Sequence, residues 1–177
     1  MMARVLRRVA LALAAAALAV SGASARAEEL PEYRLKAAFI YNFIVFTDWP
    51  AGAGATLIVC IHGQDPFGAE IDGLQGKTVG SRSIALQRKV GIDALRGCQV
   101  VFIAASAQEH LPRVLAALEG QTVLTIADSP GAMRRGVALN MNVSGGKVTF
   151  EANMAAARAG SVSLSSKLLR LATEVQQ

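Results

Sequence analysis

The sequence offers few residues that could build a catalytic or metal centre. It has two histidines, His62 and His110, and two cysteines, Cys60 and Cys98, without the close spacings typical of metal ligands. Because a metal site needs several converging ligands, we predict no metal and no other cofactor, and we interpret each histidine as a loop or surface residue. No motif combines a nucleophile, a base and an orienting group, so we predict a binding or regulatory protein rather than an enzyme.

Asp128 and Ser129 are candidates for a ligand site, because they directly follow a predicted strand, residues 122–127. Open α/β proteins bind ligands at the carboxyl ends of their strands. Arg134 and Arg135 lie a few residues further on, and guanidinium groups suit phosphates and carboxylates. Two interpretations stay open: the segment lines a ligand or anion crevice, or it is an ordinary turn followed by solvated arginines.

The elements that must position these residues alternate along the chain. Runs of strand length predict four strands, at residues 56–61, 83–88, 99–104 and 122–127, with short helical segments between them. Residues 137–143 and 147–151 flank a turn and predict an antiparallel hairpin. We therefore predict an α/β fold in which a mostly parallel sheet has helices on both faces and the hairpin at one edge.

Helices are predicted at both ends of this alternating region. Residues 36–49 contain five of the nine aromatic side chains of the chain, and apolar residues lie nearly all the way round the helix. This pattern predicts a helix that is buried on most sides and that ends at Trp49-Pro50. Residues 153–159 and 164–175 are predicted as the closing helices.

The first residues have the features of a secretory signal. Three arginines precede an apolar run of twelve residues, and small residues offer cleavage sites near Ala25 or Ala27. The run is too short for a bilayer, which needs about 20 apolar residues. We predict a signal peptide, residues 1–27, followed by one exported domain, residues 28–177.

Export also accounts for the formal net charge of +5. Four of the eighteen basic residues and no acidic residue lie in the leader, so cleavage after Ala27 leaves fourteen basic against thirteen acidic groups. We therefore exclude nucleic-acid binding as a main function.

Cys60 and Cys98 are expected to pair in an oxidising compartment, where the bridge would contribute about 4 kcal/mol in the chain-entropy model. Cys60 lies late in one predicted strand and Cys98 at the start of another. In-register parallel neighbours would hold their α-carbons beyond the limit of about 7 Å for a disulfide. Two buried free thiols are the alternative.

Five segments resemble a known family in their order and spacing. They are Lys36-Ala-Ala-Phe-Ile-Tyr-Asn-Phe-Ile with Trp49-Pro50, Gly63-Gln-Asp-Pro-Phe-Gly68, Gly76-Lys-Thr-Val79 with Arg82, Leu124-Thr-Ile-Ala-Asp128, and Val148-Thr-Phe-Glu-Ala-Asn153 with Ser165-Ser-Lys-Leu-Leu169. Together they resemble the YfiR/HmsC family of small periplasmic proteins over nearly all of the predicted mature chain.

The resemblance implies a three-layer α/β sandwich and a periplasmic inhibitor of an inner-membrane diguanylate cyclase. Such an inhibitor binds the enzyme's periplasmic sensor domain and so controls cyclic-di-GMP signalling and biofilm formation. In such systems a lipoprotein associated with the outer membrane sequesters the inhibitor, and disulfides tune some members. Cys60 and Cys98 match one cysteine pair of the family, whereas the region of the second pair, residues 129–142, has no cysteine here. Redox control that depends on the second bridge is therefore not expected.

Met154, Arg158 and Leu164, in the helices after the hairpin, are the candidate partner-binding residues; the alternative is that Met154 and Leu164 belong to the core. A homodimer is a further candidate assembly. The rival function is that of a periplasmic small-ligand sensor acting on a membrane histidine kinase or transporter, with a binding crevice at the strand ends.

Overall fold

The computed structural model describes residues 24–88 and 91–177. Residues Tyr33–Gln177 form one compact unit, and residues 24–32, the start of the first helix, belong to a separate unit. The predicted signal peptide lies outside the described residues except for its last four positions, so it stays a prediction. Within the described residues, no helix combines the length and hydrophobicity that a membrane span requires.

The described chain contains ten strands, four α-helices and five 3₁₀ helices. The strands are β1 (Thr47–Asp48), β2 (Thr56–His62), β3 (Thr78–Val79), β4 (Arg82–Gln87), β5 (Val100–Ile103), β6 (Leu124–Ala127), β7 (Leu139–Ser144), β8 (Lys147–Asn153), β9 (Ser163–Leu164) and β10 (Glu174–Gln176). The α-helices are α1 (Ser24–Val45), α2 (Leu111–Ala117), α3 (Met154–Ala159) and α4 (Ser166–Leu169). The 3₁₀ helices are Ala51–Ala53, Gly68–Leu74, Ile92–Gly97, Ala105–His110 and Met133–Arg135.

Eight strands form one sheet in the order β10-β8-β7-β6-β5-β2-β4-β3. The run from β7 through β6, β5 and β2 to β4 is parallel, while β7–β8 and β3–β4 are antiparallel. This arrangement confirms the predicted mixed α/β class with a mostly parallel sheet. The hairpin β7–β8 lies next to the edge, because β10 pairs with the outer side of β8.

Each face of the sheet is covered by its own helical layer. Alternate residues of β2 show this: Leu57, Val59 and Ile61 belong to one core cluster and Cys60 to the other. The first cluster includes residues of α1, α3 and α4, and the second includes residues of α2 and of Ile92–Gly97. The molecule is therefore a three-layer sandwich, and fully apolar central strands are what two covered faces require.

Helix α1 ends four residues earlier than predicted, at Val45 rather than at Trp49-Pro50. The chain leaves the helix because Thr47–Asp48 pairs antiparallel with Ser163–Leu164 of β9. The hydroxyl of Thr47 donates to the Phe43 carbonyl (2.7 Å), and the indole N–H of Trp49 donates to the Ile44 carbonyl (3.0 Å). Trp49 thus occupies one of the acceptors that a helix end leaves open.

The burial of α1 is also more one-sided than predicted. Ile40, Phe43 and Ile44 are fully buried, whereas Leu35 and Val45 are exposed. The helix therefore lies on the surface of the sheet with one solvent-facing stripe.

The predicted closing helix at residues 164–175 is wrong. Only Ser166–Leu169 is helical, and Glu174–Gln176 is a strand that pairs parallel with β8. The turn is fixed by Thr173, whose backbone N–H and side-chain hydroxyl both donate to the Phe150 carbonyl (2.8 and 3.0 Å). The local pattern of residues 164–175 does not reveal the pairing of β10 with β8, because β8 lies more than twenty residues earlier in the chain.

Cys60 and Cys98 form a disulfide with their α-carbons 5.9 Å apart. The geometric objection disappears because Cys98 is not part of a strand: it follows the 3₁₀ helix Ile92–Gly97, two residues before β5 begins. The bridge fastens this 3₁₀ helix to the centre of the sheet, and both cysteines are buried.

Replacing both cysteines with alanine is expected to lower the free energy of unfolding by about 2–5 kcal/mol, because the unfolded chain regains the entropy of an open loop. Urea unfolding of the oxidised mature chain and of the double variant measures the difference. A loss below about 1 kcal/mol would contradict a structural role for the bridge.

Candidate functional site

Helix α1 and the carboxyl end of β6 meet at a buried ion pair. The ammonium of Lys36 lies 2.9 Å from Oδ2 of Asp128, and the side chains are only 4% and 1% exposed. The hydroxyl of Tyr33 donates to the same oxygen (3.1 Å), and the Lys36 ammonium lies 4.4 Å from the centroid of the Tyr33 ring. A charge at this depth is stable only with such partners.

This arrangement indicates that the Asp128-Ser129 segment has a structural role rather than a ligand-binding one. Lys36 and Tyr33 lie directly against the carboxylate, so an incoming ligand would have to displace them. Oδ1 of Asp128 is buried without a hydrogen-bond partner among the described residues. Ser129 is buried, and its carbonyl accepts the Ala132 N–H (3.1 Å), which is the geometry of a turn. The segment therefore serves to anchor α1.

The two predicted anion-binding arginines reach different partners. Arg134 lies 3.5 Å from Glu174 on β10, and Arg135 donates to the Gln108 carbonyl (3.0 Å). Neither of these contacts is made with Asp128 or Ser129. The structure thus shows these four residues engaged separately rather than as one cluster.

Other buried polar residues were not anticipated from the sequence. His62 ends β2 and is buried beside the β5 ladder, so its prediction as a loop or surface residue is wrong, while His110 is exposed. Asn140 of β7 is 0% exposed. Its amide donates to Asn142 (3.2 Å) and to Glu151 (3.3 Å). The local sequence of an alternating strand does not reveal this burial. It depends on β6 and β8, which flank β7 on both sides in the sheet.

A surface ion pair ties α1 to the 3₁₀ helix Gly68–Leu74. Arg34 donates twice to the Glu70 carboxylate, at 2.9 and 3.2 Å. The hydrogen bonds from Arg34 lower the pKa of Glu70 and raise that of Arg34. Because the folded-state pKa of Glu70 is depressed, the stabilisation it provides is present above the unfolded pKa and is lost as the pH falls through the folded one.

The three predicted partner-binding residues line one cleft, hereafter the α3–β9 cleft. Its volume is about 110 Å³, and its walls are Met154, Ala157, Arg158, Val162, Ser163 and Leu164. Leu164 is 9% exposed and also packs in the first core cluster, whereas Met154 is half-buried and Arg158 is exposed. The cleft is thus mainly apolar with one cation at its rim.

The walls of this cleft are fixed by contacts from three directions. The side chain of Asn153 caps α3 by accepting the Ala156 N–H (2.9 Å), and its amide donates to the Met133 carbonyl (3.1 Å). Gly160 lies so close to Val123, the residue before β6, that a Cβ on Gly160 would lie 2.1 Å from the Val123 carbonyl oxygen. On the other wall, β9 is held by β1. These contacts favour a preformed surface rather than a mobile loop.

Comparison with known proteins identifies the relationships of the chain. The model of the family described as YfiR/HmsC-like matches residues 33–173. A search of curated protein sequences gives no significant match.

Two solved structures share the fold at very low sequence identity. A conserved domain protein from Vibrio cholerae O1 biovar El Tor is 8% identical with a TM-score of 0.56. An ABC domain in complex with L-Trp from Streptococcus pneumoniae is 7% identical with a TM-score of 0.53. Each alignment covers 81% of this chain and 60% of the other, so this chain spans less than two thirds of those proteins. The likeness shows the fold alone.

Replacing Lys36 with methionine is expected to destabilise the mature chain by about 3–5 kcal/mol, because the Asp128 carboxylate would be left buried without its cation. Urea unfolding of the variant measures the loss, and adding Asp128→Asn to it should restore part of the stability.

Lys77→Met is the matched control. Lys77 is exposed and lies over the Tyr41 ring (4.6 Å from its centroid), a contact worth about 0.5–1 kcal/mol. Equal losses for the two lysine variants would contradict the anchoring role of Lys36.

Proposed function

Because this chain belongs to the YfiR/HmsC-like family, whose members are regulators rather than enzymes, we propose that it represses an inner-membrane diguanylate cyclase. It would do so in the periplasm, by binding the sensor domain that the cyclase exposes there, and it would thereby control cyclic-di-GMP signalling and biofilm formation. The observation that carries this proposal is the family match across residues 33–173.

The α3–β9 cleft is the proposed contact surface. Its volume of about 110 Å³ is below that of the apolar cavity of about 150 Å³ that holds benzene, so it has room for one aliphatic side chain. Pockets that bind drug-sized molecules enclose about 300 Å³ or more. The size of the cleft therefore favours a protein side chain over a free metabolite.

Repression requires that this contact distinguish two states of the cyclase. A ligand shifts a conformational equilibrium only through its different affinities for the two states. The regulator must accordingly bind the inactive arrangement of the sensor domain more tightly than the active one. A rigid cleft suits this task, because it accepts its partner residue only in one position.

The proposal includes two further assemblies. An outer-membrane-associated lipoprotein would compete for the regulator and so release the cyclase, and a homodimer would present two contact surfaces at once. The Cys60–Cys98 bridge is buried in the core and is proposed to stabilise the fold rather than to act as a redox switch.

The small-ligand sensor is the weaker alternative. It would use the crevice beside Asp128, which in this structure is closed by Lys36 and Tyr33. Binding there would require breaking a buried ion pair, which makes a ligand site at this position energetically unfavourable.

Deletion of the gene is expected to raise cellular cyclic-di-GMP, because an unopposed cyclase would be more active. Complementation with the full chain should reverse the rise, whereas a form lacking residues 1–27 should not. Mass-spectrometric quantification of cyclic-di-GMP checks both outcomes, and an unchanged level in cells that normally express the protein would overturn the proposal.

Complementation with Met154→Glu tests the surface within the same assay. This variant should fail to restore the normal level, because a carboxylate would enter the apolar cleft. Ala116→Glu, at an exposed position on α2, is the matched control and should complement fully. Both proteins must accumulate equally in the periplasm for the comparison to count.

A further inference from the structure

The surface around the α3–β9 cleft carries cations without acidic partners. Arg158 lies at the rim of the cleft, and Lys167 and Arg170 follow on α4 and just after it. All three are exposed, and in the part of the chain that the structure describes none of them forms an ion pair. This surface therefore combines an apolar cleft with three cations that lie close to it in sequence and form no ion pair.

The surplus of positive charge extends over the whole carboxyl-terminal part of the chain. Residues 130–177 contain two acidic residues, Glu151 and Glu174. Both are already engaged, Glu151 by the Asn140 amide and Glu174 by Arg134. The basic residues of this part are Arg134, Arg135, Lys147, Arg158, Lys167 and Arg170. This part of the chain therefore carries a net positive charge, although the predicted mature chain as a whole is nearly neutral.

One carboxylate lies beside the cleft on the neighbouring strand. Asp48 of β1 is exposed and stands opposite Ser163 in the β1–β9 ladder. The cleft is thus flanked by a cation on its α3 side and by an anion on its β1 side. A negatively charged partner is therefore expected to extend from the cleft toward α4, away from Asp48.

An exposed apolar residue, Leu171, lies just beyond α4. Leu171, immediately after Arg170, is 71% exposed, while Leu168 on α4 is buried in the core. Exposed single leucines are common, but this one continues a surface that begins with an apolar cleft. The exposed residues from Ser163 to Leu171 are thus serines, the two cations and this leucine.

We propose that the surface formed by α3, β9 and α4 binds an acidic segment of a protein partner, which inserts one aliphatic side chain into the cleft. Its carboxylates would lie against Arg158, Lys167 and Arg170. Charges at the rim of an interface steer association and select partners. The inference rests on the proposed function only in naming the cyclase sensor domain as that partner.

The concave shape selects a protein over a membrane. An anionic lipid surface would also attract these cations, but it offers no single protruding side chain for a fixed cleft of about 110 Å³. Lipid contact is therefore an outcome that the experiment must separate from protein contact.

The test is site-specific photo-cross-linking in living cells, with p-benzoyl-phenylalanine in the full chain in place of Ser166, an exposed residue at the start of α4 and outside the cleft. We expect an adduct whose partner peptide, mapped by mass spectrometry, carries carboxylates on one or both sides of an aliphatic residue. Adding Arg158→Glu and Lys167→Glu should lower the adduct yield about tenfold. The matched control is the pair Arg96→Glu and Arg113→Glu, which makes the same charge change at exposed positions of the other helical layer and should leave the yield unchanged.

Each outcome supports or overturns the inference. An adduct to the acidic segment of a diguanylate cyclase supports both the inference and the proposed function. An adduct to an acidic segment of an unrelated protein, lost on charge reversal, supports the inference while the proposed function fails. An adduct to lipid, to a segment without carboxylates, or none at all overturns the inference. A yield that Arg158→Glu and Lys167→Glu do not change also overturns it, provided that thermal melts show the variants folded.

Discussion

The position of helix α1 on the sheet is the constraint from which the rest of the structure follows. Where α1 enters the compact unit Tyr33–Gln177, the Lys36–Asp128 pair and the Tyr33 hydroxyl hold the helix at the carboxyl end of β6. In its middle, Phe39 and Phe43 pack edge-on against Phe150 of β8. At its end, Trp49 caps the helix and β1 turns back to pair with β9. Since β9 forms one wall of the α3–β9 cleft, the β1–β9 pairing links α1 to that wall.

This dependence divides the molecule into a fixed part and a functional part. The centre of the sheet is covered on both faces and contains the disulfide, so it contributes stability and little else. The residues with other chemical properties lie at the edges of the sheet, where the carboxyl-terminal segment supplies apolar area and positive charge. A regulator that only needs to bind does not require a pocket with convergent catalytic groups. The α3–β9 cleft, with Arg158 at its rim, is the place proposed here for such recognition.

The fold class could be predicted because it depends on local pattern. Apolar runs of strand length identified β2, β5 and β6, and the Ser144-Gly145-Gly146 turn identified the hairpin. The cysteine pair was predicted from the expected oxidising compartment and from the presence of two cysteines. Only the structure shows that Cys98 lies before β5 rather than within a strand. These features are encoded within short segments, which is why one sequence reveals them.

The errors concern contacts between segments far apart in the chain. The ends of α1 and of the carboxyl-terminal helix were misplaced because β1–β9 and β10–β8 pairings truncate them, and no local periodicity reports such pairings. The sequence singles out Lys36 only as part of a segment that resembles a family, and it leaves Asp128 open between a ligand crevice and a turn. Their meeting across about ninety residues of chain appears only when the sheet is assembled. The three candidate partner-binding residues Met154, Arg158 and Leu164 line one cleft, and their role as partner contacts stays a prediction.

Hydrogen–deuterium exchange on the purified mature chain, with and without the purified periplasmic domain of the diguanylate cyclase from the same cell, tests the central claim most directly. If the chain represses the cyclase through the α3–β9 cleft, binding should slow exchange in residues 154–171 and leave α2 unchanged, because closed interfaces protect the amides they cover. No binding, or protection confined to the segments around Asp128 or to α2, would contradict this account.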